Sequence, residues 1–308
     1  MPRTLAVFAT VATAAAIVSL APAADIYATS FDSYGTGTLS GQVAWSGTGG
    51  TWAVSGAVNS PQIPANVIGP GVAGGVDPYG GRGRMVRLCT ERFDAGRTKA
   101  WLDLANSGKW AKASAGGDRV LETRVKIHVP SGQALASTFG IMISRSSFET
   151  SGGFLVSAQT GAISLLNGGY ALANRVATGA TAPLGAWNDF VYRWDVDTGE
   201  AALEMNGVVV ATHTTAANGS VYATNLFATT DASPGSLNAF GYFDDFAVAA
   251  VPAVADCLGD LDGNGARDAA DLAALLGAWG TGGADLDGDG DTDAADLAIL
   301  LAGWGPCT

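Results

Sequence analysis

The feature that most constrains this chain is a duplication: an acidic segment and the apolar run behind it occur twice near the C-terminus, 25 residues apart. The first copy reads Asp260-Leu-Asp-Gly-Asn-Gly-Ala-Arg-Asp-Ala-Ala-Asp271 and continues to Trp279-Gly280. The second reads Asp285-Leu-Asp-Gly-Asp-Gly-Asp-Thr-Asp-Ala-Ala-Asp296 and continues to Trp304-Gly305. From Cys257 onward ten Asp face a single basic residue, Arg267, so this segment carries −9 of the chain's formal −12. A block of like charge is ordinarily a solvated tail, but here the spacing is regular. Side-chain oxygens recur at positions 1, 3, 5, 9 and 12 of each loop, with Gly265 or Gly290 at position 6. Hard oxygens on alternate residues around a sharp glycine turn suit a hard cation such as calcium.

Behind each loop the spacing predicts one short amphipathic helix. Leu272, Leu275, Leu276 and Trp279 fall at i, i+3, i+4 and i+7 and share a face, and Leu297, Leu300, Leu301 and Trp304 repeat it. Gly280 and Gly305 are C-terminal stops. No helix precedes either loop, so each unit is half an EF-hand. Position 12 holds Asp271 and Asp296 where an EF-hand carries Glu, and the shorter reach requires the helix to start closer to the ion.

This loop-helix pair resembles the type I dockerin, in particular the variant with flanking cysteines and a Trp-Gly-Pro-Cys ending, here Trp304-Gly305-Pro306-Cys307. The resemblance implies two calcium ions. The first would be held by Asp260, Asp262, Asn264, the Ala266 carbonyl, Asp268 and Asp271. The second would be held by Asp285, Asp287, Asp289, the Asp291 carbonyl, Asp293 and Asp296. It also implies docking onto a cohesin-like or other cell-surface receptor through positions 10 and 11. Those positions are Ala269-Ala270 and Ala294-Ala295, without the hydroxyl often found there. A module this small has a scant apolar core and crowded carboxylates, so it is expected to order only with metal.

Residues 1–23 read as a secretory signal: Arg3, an apolar run from Leu5 to Leu20, and an Ala21-Pro22-Ala23 exit with cleavage before Ala24. No later segment is long and apolar enough to span a bilayer. Secretion to an oxidising space allows disulfides, and Cys257 with Cys307 is expected to clasp the module, restricting the unfolded chain by roughly 4 kcal/mol. Cys89 is left as a buried thiol. So acidic a chain excludes nucleic acid as a partner class.

Between residues 24 and 249 the chain is rich in turns and alternation. Leu121, Thr123, Val125, Ile127 and Val129 face one way and Glu122, Arg124, Lys126 and His128 the other. Phe190, Tyr192 and Trp194 alternate likewise, Ala201, Leu203 and Met205 follow, and Asn206-Gly207 predicts a hairpin to Val208–Thr212. Further strands are expected at Thr138–Ser144, Val221–Thr230 and Gly241–Val248. An antiparallel two-sheet sandwich is the reading, with 250–256 as linker and 257–308 as an all-α module. Gly185-x-Trp187-x-x-Phe190, Met205-Asn206-Gly207, Tyr242-Phe243-Asp244-Asp245-Phe246 and the opening Phe31-x-x-Tyr34 and Gly41-Gln42-x-x-Trp45 resemble the concanavalin A-like jelly roll, especially its laminin-G-like branch.

Glycosidases on that fold align carboxylates along one strand, and no such run is present. Asp195, Asp197, Glu200 and Glu204 straddle a turn and read as solvated hairpin ends, and neither His128 nor His213 has a nucleophile nearby in sequence. Trp45, Trp52, Trp101 and Trp110 are sandwich core before they are sugar platforms. The function expected is therefore a secreted, non-catalytic binding protein, its sandwich recognising polysaccharide and its calcium module anchoring it. A dockerin-bearing glycoside hydrolase or lyase, or a purely structural surface protein, are the alternatives.

Overall fold

Period-two alternation builds the larger part of the molecule, and the chemistry of the acidic repeats builds the smaller. The computed structural model describes residues 24–48, 50–55, 65–68, 83–90, 97–133, 136–146, 149–215, 217, 220–230, 239–251, 259–261, 266–287 and 289–306. The signal segment, Cys257, Cys307, Asp262 and Asn264 lie outside these residues. The chain divides into two units after Ala253.

In the first unit the strands are β1 (Ala24–Thr29), β2 (Gly37–Thr38), β3 (Ala53–Ser55), β4 (Ala65–Ile68), β5 (Met85–Cys89) and β6 (Thr98–Trp101). A short helix, α1 (Lys109–Ala113), precedes β7 (Val120–His128), β8 (Ser137–Ser144), β9 (Thr150–Ser157), β10 (Ala162–Leu166) and β11 (Arg175–Thr181). The set closes with β12 (Trp187–Asp195), β13 (Glu200–Met205), β14 (Val208–Thr214), β15 (Ala223–Thr230) and β16 (Phe240–Val251). All pairings are antiparallel. One sheet runs β14-β13-β12-β7-β16-β5-β4-β2 with β1 added on β16, and the other runs β11-β10-β9-β8-β15-β6-β3.

The register explains the core. Val125 lies opposite Phe190, Thr123 opposite Tyr192 and Leu121 opposite Trp194, so each alternating set delivers its large side chains to the same face. Phe154 of β9 meets Phe190 across the two sheets at 4.7 Å between ring centroids, and Thr123 and Thr224 join them through their hydroxyls at 3.2 Å. Gly241 is a glycine because a Cβ there would stand 2.5 Å from the Phe139 ring. Cys89 is buried, as expected of it.

Two expectations change here. β16 carries on through Ala249 and Ala250 to Val251, paired with β7 and with β1, so the sandwich takes the first residues of the stretch read as linker. Glu122 and His128, read on the polar strand face, are buried, because Arg193 of β12 and Arg124 of the same strand lie over the one and the Trp187 and Tyr242 rings of neighbouring strands lie beside the other.

The second unit contains β17 (Ala266–Arg267), α2 (Ala269–Gly277), α3 (Ala294–Ala302) and β18 (Gly305–Pro306). The two-residue ladder of β17 with β18 departs from the all-α expectation. Leu275 and Leu300, equivalent in the repeat, are fully buried with Ala284 between the helices, and Leu261, Leu272, Leu286 and Leu297 pack around them. The predicted stripes are only half used: Leu276, Trp279, Leu301 and Trp304 remain about half exposed. The halves are cross-braced. After α2, Gly280 N–H donates to the Thr292 carbonyl at 2.9 Å, and after α3, Gly305 pairs with Arg267, the same loop position of the other repeat.

Candidate functional site

Each acidic loop ends in a helix whose first turn it caps. Asp268 and Asp293, at position 9, are the N-caps; their Oδ1 atoms accept from Ala270 N–H at 2.7 Å and Ala295 N–H at 2.6 Å. Asp271 and Asp296, at position 12, complete the capping boxes by accepting from Asp268 N–H and Asp293 N–H, both at 2.7 Å. Their other oxygens accept from Leu261 N–H and Leu286 N–H, each at 2.6 Å. Both position-12 carboxylates are fully buried, tying the start of the loop to the start of the helix. The Oδ2 of Asp296 takes Asp293 N–H, and a carboxylate oxygen has two lone pairs.

In the second loop one oxygen each from Asp285, Asp287 and Asp289 lies within 4.8 Å of the others, and Asp289, Asp291 and Asp293 form a second such group. The loop wraps on itself: Gly290 N–H donates to Asp285 at 2.8 Å, Asp289 N–H to Asp287 and Asp291 N–H to Asp289, both at 3.2 Å. Gly290 takes a φ of 106° at the turn, a conformation that favours glycine. The charge of Asp289 raises the Asp291 carboxyl. For Asp287 a backbone hydrogen bond from Asp289 pulls downward, but desolvation and the charges of Asp289, Asp296 and Asp285 outweigh it, and the net shift is upward. Backbone donors, first that of Asp293, hold Asp296 low. Ala269, Ala270, Ala294 and Ala295, the expected partner-reading positions, are all exposed. In the first loop Asp260 and Ala266 are half-buried.

The nine-stranded sheet carries a second constellation on its outer face. Trp187, His128, Tyr242 and Arg87 lie in one cross-strand row, with His128 5.5 Å from Trp187 and 6.0 Å from Tyr242 between ring centroids. Burial lowers the His128 pKa. Beyond this row Lys126 meets Asp245 at 2.8 Å and Asp189 at 3.6 Å, and Glu122 meets Arg124 at 2.5 Å and Arg193 at 2.7 Å. Arg193 also reaches Glu204 at 3.2 Å. The row is not visible along any single strand, because Arg87 and Tyr242 come from strands far apart in sequence; the polar face of β7 is the sequence signal for its middle.

The hairpin carboxylates do not converge. Asp197 pairs with Arg119 at 2.7 Å, Asp195 caps the turn by accepting from Asp197 and Thr198 N–H, and Glu204 belongs to Arg193. Trp52 and Trp110 are buried, whereas Trp45 and Trp101 are half-buried beneath Lys109 and Lys99. Tyr192 donates or accepts a 3.1 Å bond with His213, and burial raises the one and lowers the other.

No protein-family model and no curated protein matches the chain. Among solved structures, a sialidase matches 78% of this chain at 11% identity and a TM-score of 0.47, and the chain spans 19% of its length. A carbohydrate esterase from Shiga toxin-encoding bacteriophage phi24B matches 70% of this chain and 100% of its own, at 17% identity and TM-score 0.44. The cellulose induced protein Cip1 matches 73% and 98%, at 16% identity and TM-score 0.43. Among the described residues no helix is long and apolar enough to cross a membrane.

Proposed function

We propose that this is an exported binding protein whose sandwich recognises carbohydrate and whose dockerin-like module, ordered by two calcium ions, anchors it to a cohesin-like or other surface receptor. The observation that carries the reading is the second loop, where carboxylate oxygens gather within 4.8 Å on a turn already locked to its helix by Asp296. The donors are all oxygen, the set that suits calcium rather than a softer metal. Bound calcium would supply the positive charge that these carboxylates lack. Asp285, Asp287, Asp289, Asp293 and Asp296 with the Asp291 carbonyl would hold it, and the first loop would do the same through its equivalent residues. The exposed Ala269-Ala270 and Ala294-Ala295 turns would present two related docking faces, and a Cys257–Cys307 disulfide would close the module.

Carbohydrate recognition is supported by the aromatic and hydrogen-bonding face of the larger sheet, and a non-catalytic role by hairpin carboxylates engaged in turns and ion pairs. A glycan array read together with reducing-sugar release tests the reading. Binding without release is expected. Release would replace it with a dockerin-bearing glycoside hydrolase or lyase, and neither binding nor release with a structural surface protein.

A further inference from the structure

We propose that the outer face of the nine-stranded sheet binds an anionic saccharide, with the Arg87 guanidinium reading its carboxylate or sulfate group and Trp187 offering a ring to stack on. This rests on the reading of the sandwich as a carbohydrate-binding domain, and adds the charge class of the ligand and the residue that selects it. The cations of this face differ in how they are paired. Arg124, Arg193 and Lys126 all meet carboxylates within 3.6 Å. Arg87 does not: among the described residues no carboxylate pairs with it, its guanidinium stands 5.1 Å over the Phe240 ring, and its Nε is buried with no acceptor.

A buried N–H without an acceptor is destabilising, and the arginine fork is shaped for an anion that offers two oxygens. Arg87, Phe240 and Trp187 are only half-buried, so solute can reach them. Tyr242 and His128 lie between Arg87 and Trp187 in register. Burial keeps His128 below the ordinary histidine range, so Arg87 supplies the positive charge of the row at neutral pH. Three strand spacings separate Arg87 from Trp187, about 14 Å, so an oligosaccharide rather than a single sugar spans them.

The test is calorimetric titration of the full chain, its Arg87→Gln and its Arg87→Lys variants with polygalacturonate, dextran sulfate and neutral dextran. Binding to one or both anionic polymers but not to dextran is expected, and the pair tells carboxylate from sulfate. Raising salt from about 0.05 M to about 0.5 M should weaken it. Arg87→Gln should weaken it roughly tenfold or more, with Arg87→Lys in between. Thermal unfolding checks the fold of each variant, and the salt series on the unaltered chain stands independently of it. Anionic binding that Arg87→Gln leaves unchanged overturns the assignment of Arg87. Binding of a neutral glycan, indifferent to salt and to Arg87, overturns the anionic class but leaves carbohydrate recognition standing. A chain that binds no glycan on a broad array overturns that reading as well.

Discussion

Asp296 serves the loop and the helix at once. Its Oδ1 takes Leu286 N–H at 2.6 Å and Asp287 N–H at 3.2 Å, and its Oδ2 takes Asp293 N–H. Replacing it by Ala strands three backbone donors and removes the last position of the loop, whereas position 7 is expected to offer a carbonyl that any residue carries. Asp296→Ala should therefore abolish calcium-induced helicity in far-UV circular dichroism, and Asp291→Ala should leave most of it. Equal losses would contradict the assignment. The acidic positions were legible from spacing. Their capping role was not drawn from it, although Asp268-x-x-Asp271 and Asp293-x-x-Asp296 vary the capping-box pattern with Asp in place of Glu. Glu122 was illegible for another reason: only the pairing of β12 with β7 sets Arg193 beside it. Glu122→Ala removes a carboxylate shared by Arg124 and Arg193, leaves Arg193 with Glu204, and should cost about 1.5–3 kcal/mol by denaturant unfolding.

Among the elements, the β13–β14 hairpin follows directly from its turn. Asn206 and Gly207 both take positive φ, 52° and 83°, as a two-residue turn of this hand requires. Gly207→Ala should destabilise the sandwich by about 1 kcal/mol, and an unchanged midpoint would show that the turn is not held as described. Strands whose sequence alternates apolar with polar residues, β7, β12 and β13, were readable by alternation. β9 was not: Thr150 to Val156 are buried on both faces, so no polar face marks the period, and Gly152-Gly153 in its middle read against a strand. The helices show the converse case. Their apolar spacing was visible, but it could not tell that Leu275 and Leu300 would pack inward while Leu276, Trp279, Leu301 and Trp304 stay half in solvent.

At the scale of the whole molecule, the sandwich and the module should respond to different variables. The chain has two histidines, and burial lowers the pKa of both in the sandwich. In the unfolded chain they titrate near 6.5, so between that value and their lower folded values the unfolded state binds more protons and stability rises with pH. The stability present above about pH 6.5 should be lost as pH falls through the folded values. The Tm of the sandwich should drop from about pH 7.5 to about pH 5.5, and replacing both histidines by Gln should flatten that slope. A chelator, in contrast, should unfold the module and leave the sandwich transition in place. The measurement that bears most directly on the account is a calcium titration of the chelator-treated full chain, followed by heat and by far-UV circular dichroism together. Two ions per chain, with helical signal gained as they bind, is the predicted result. No heat of binding, or binding without any gain of helix, would contradict it.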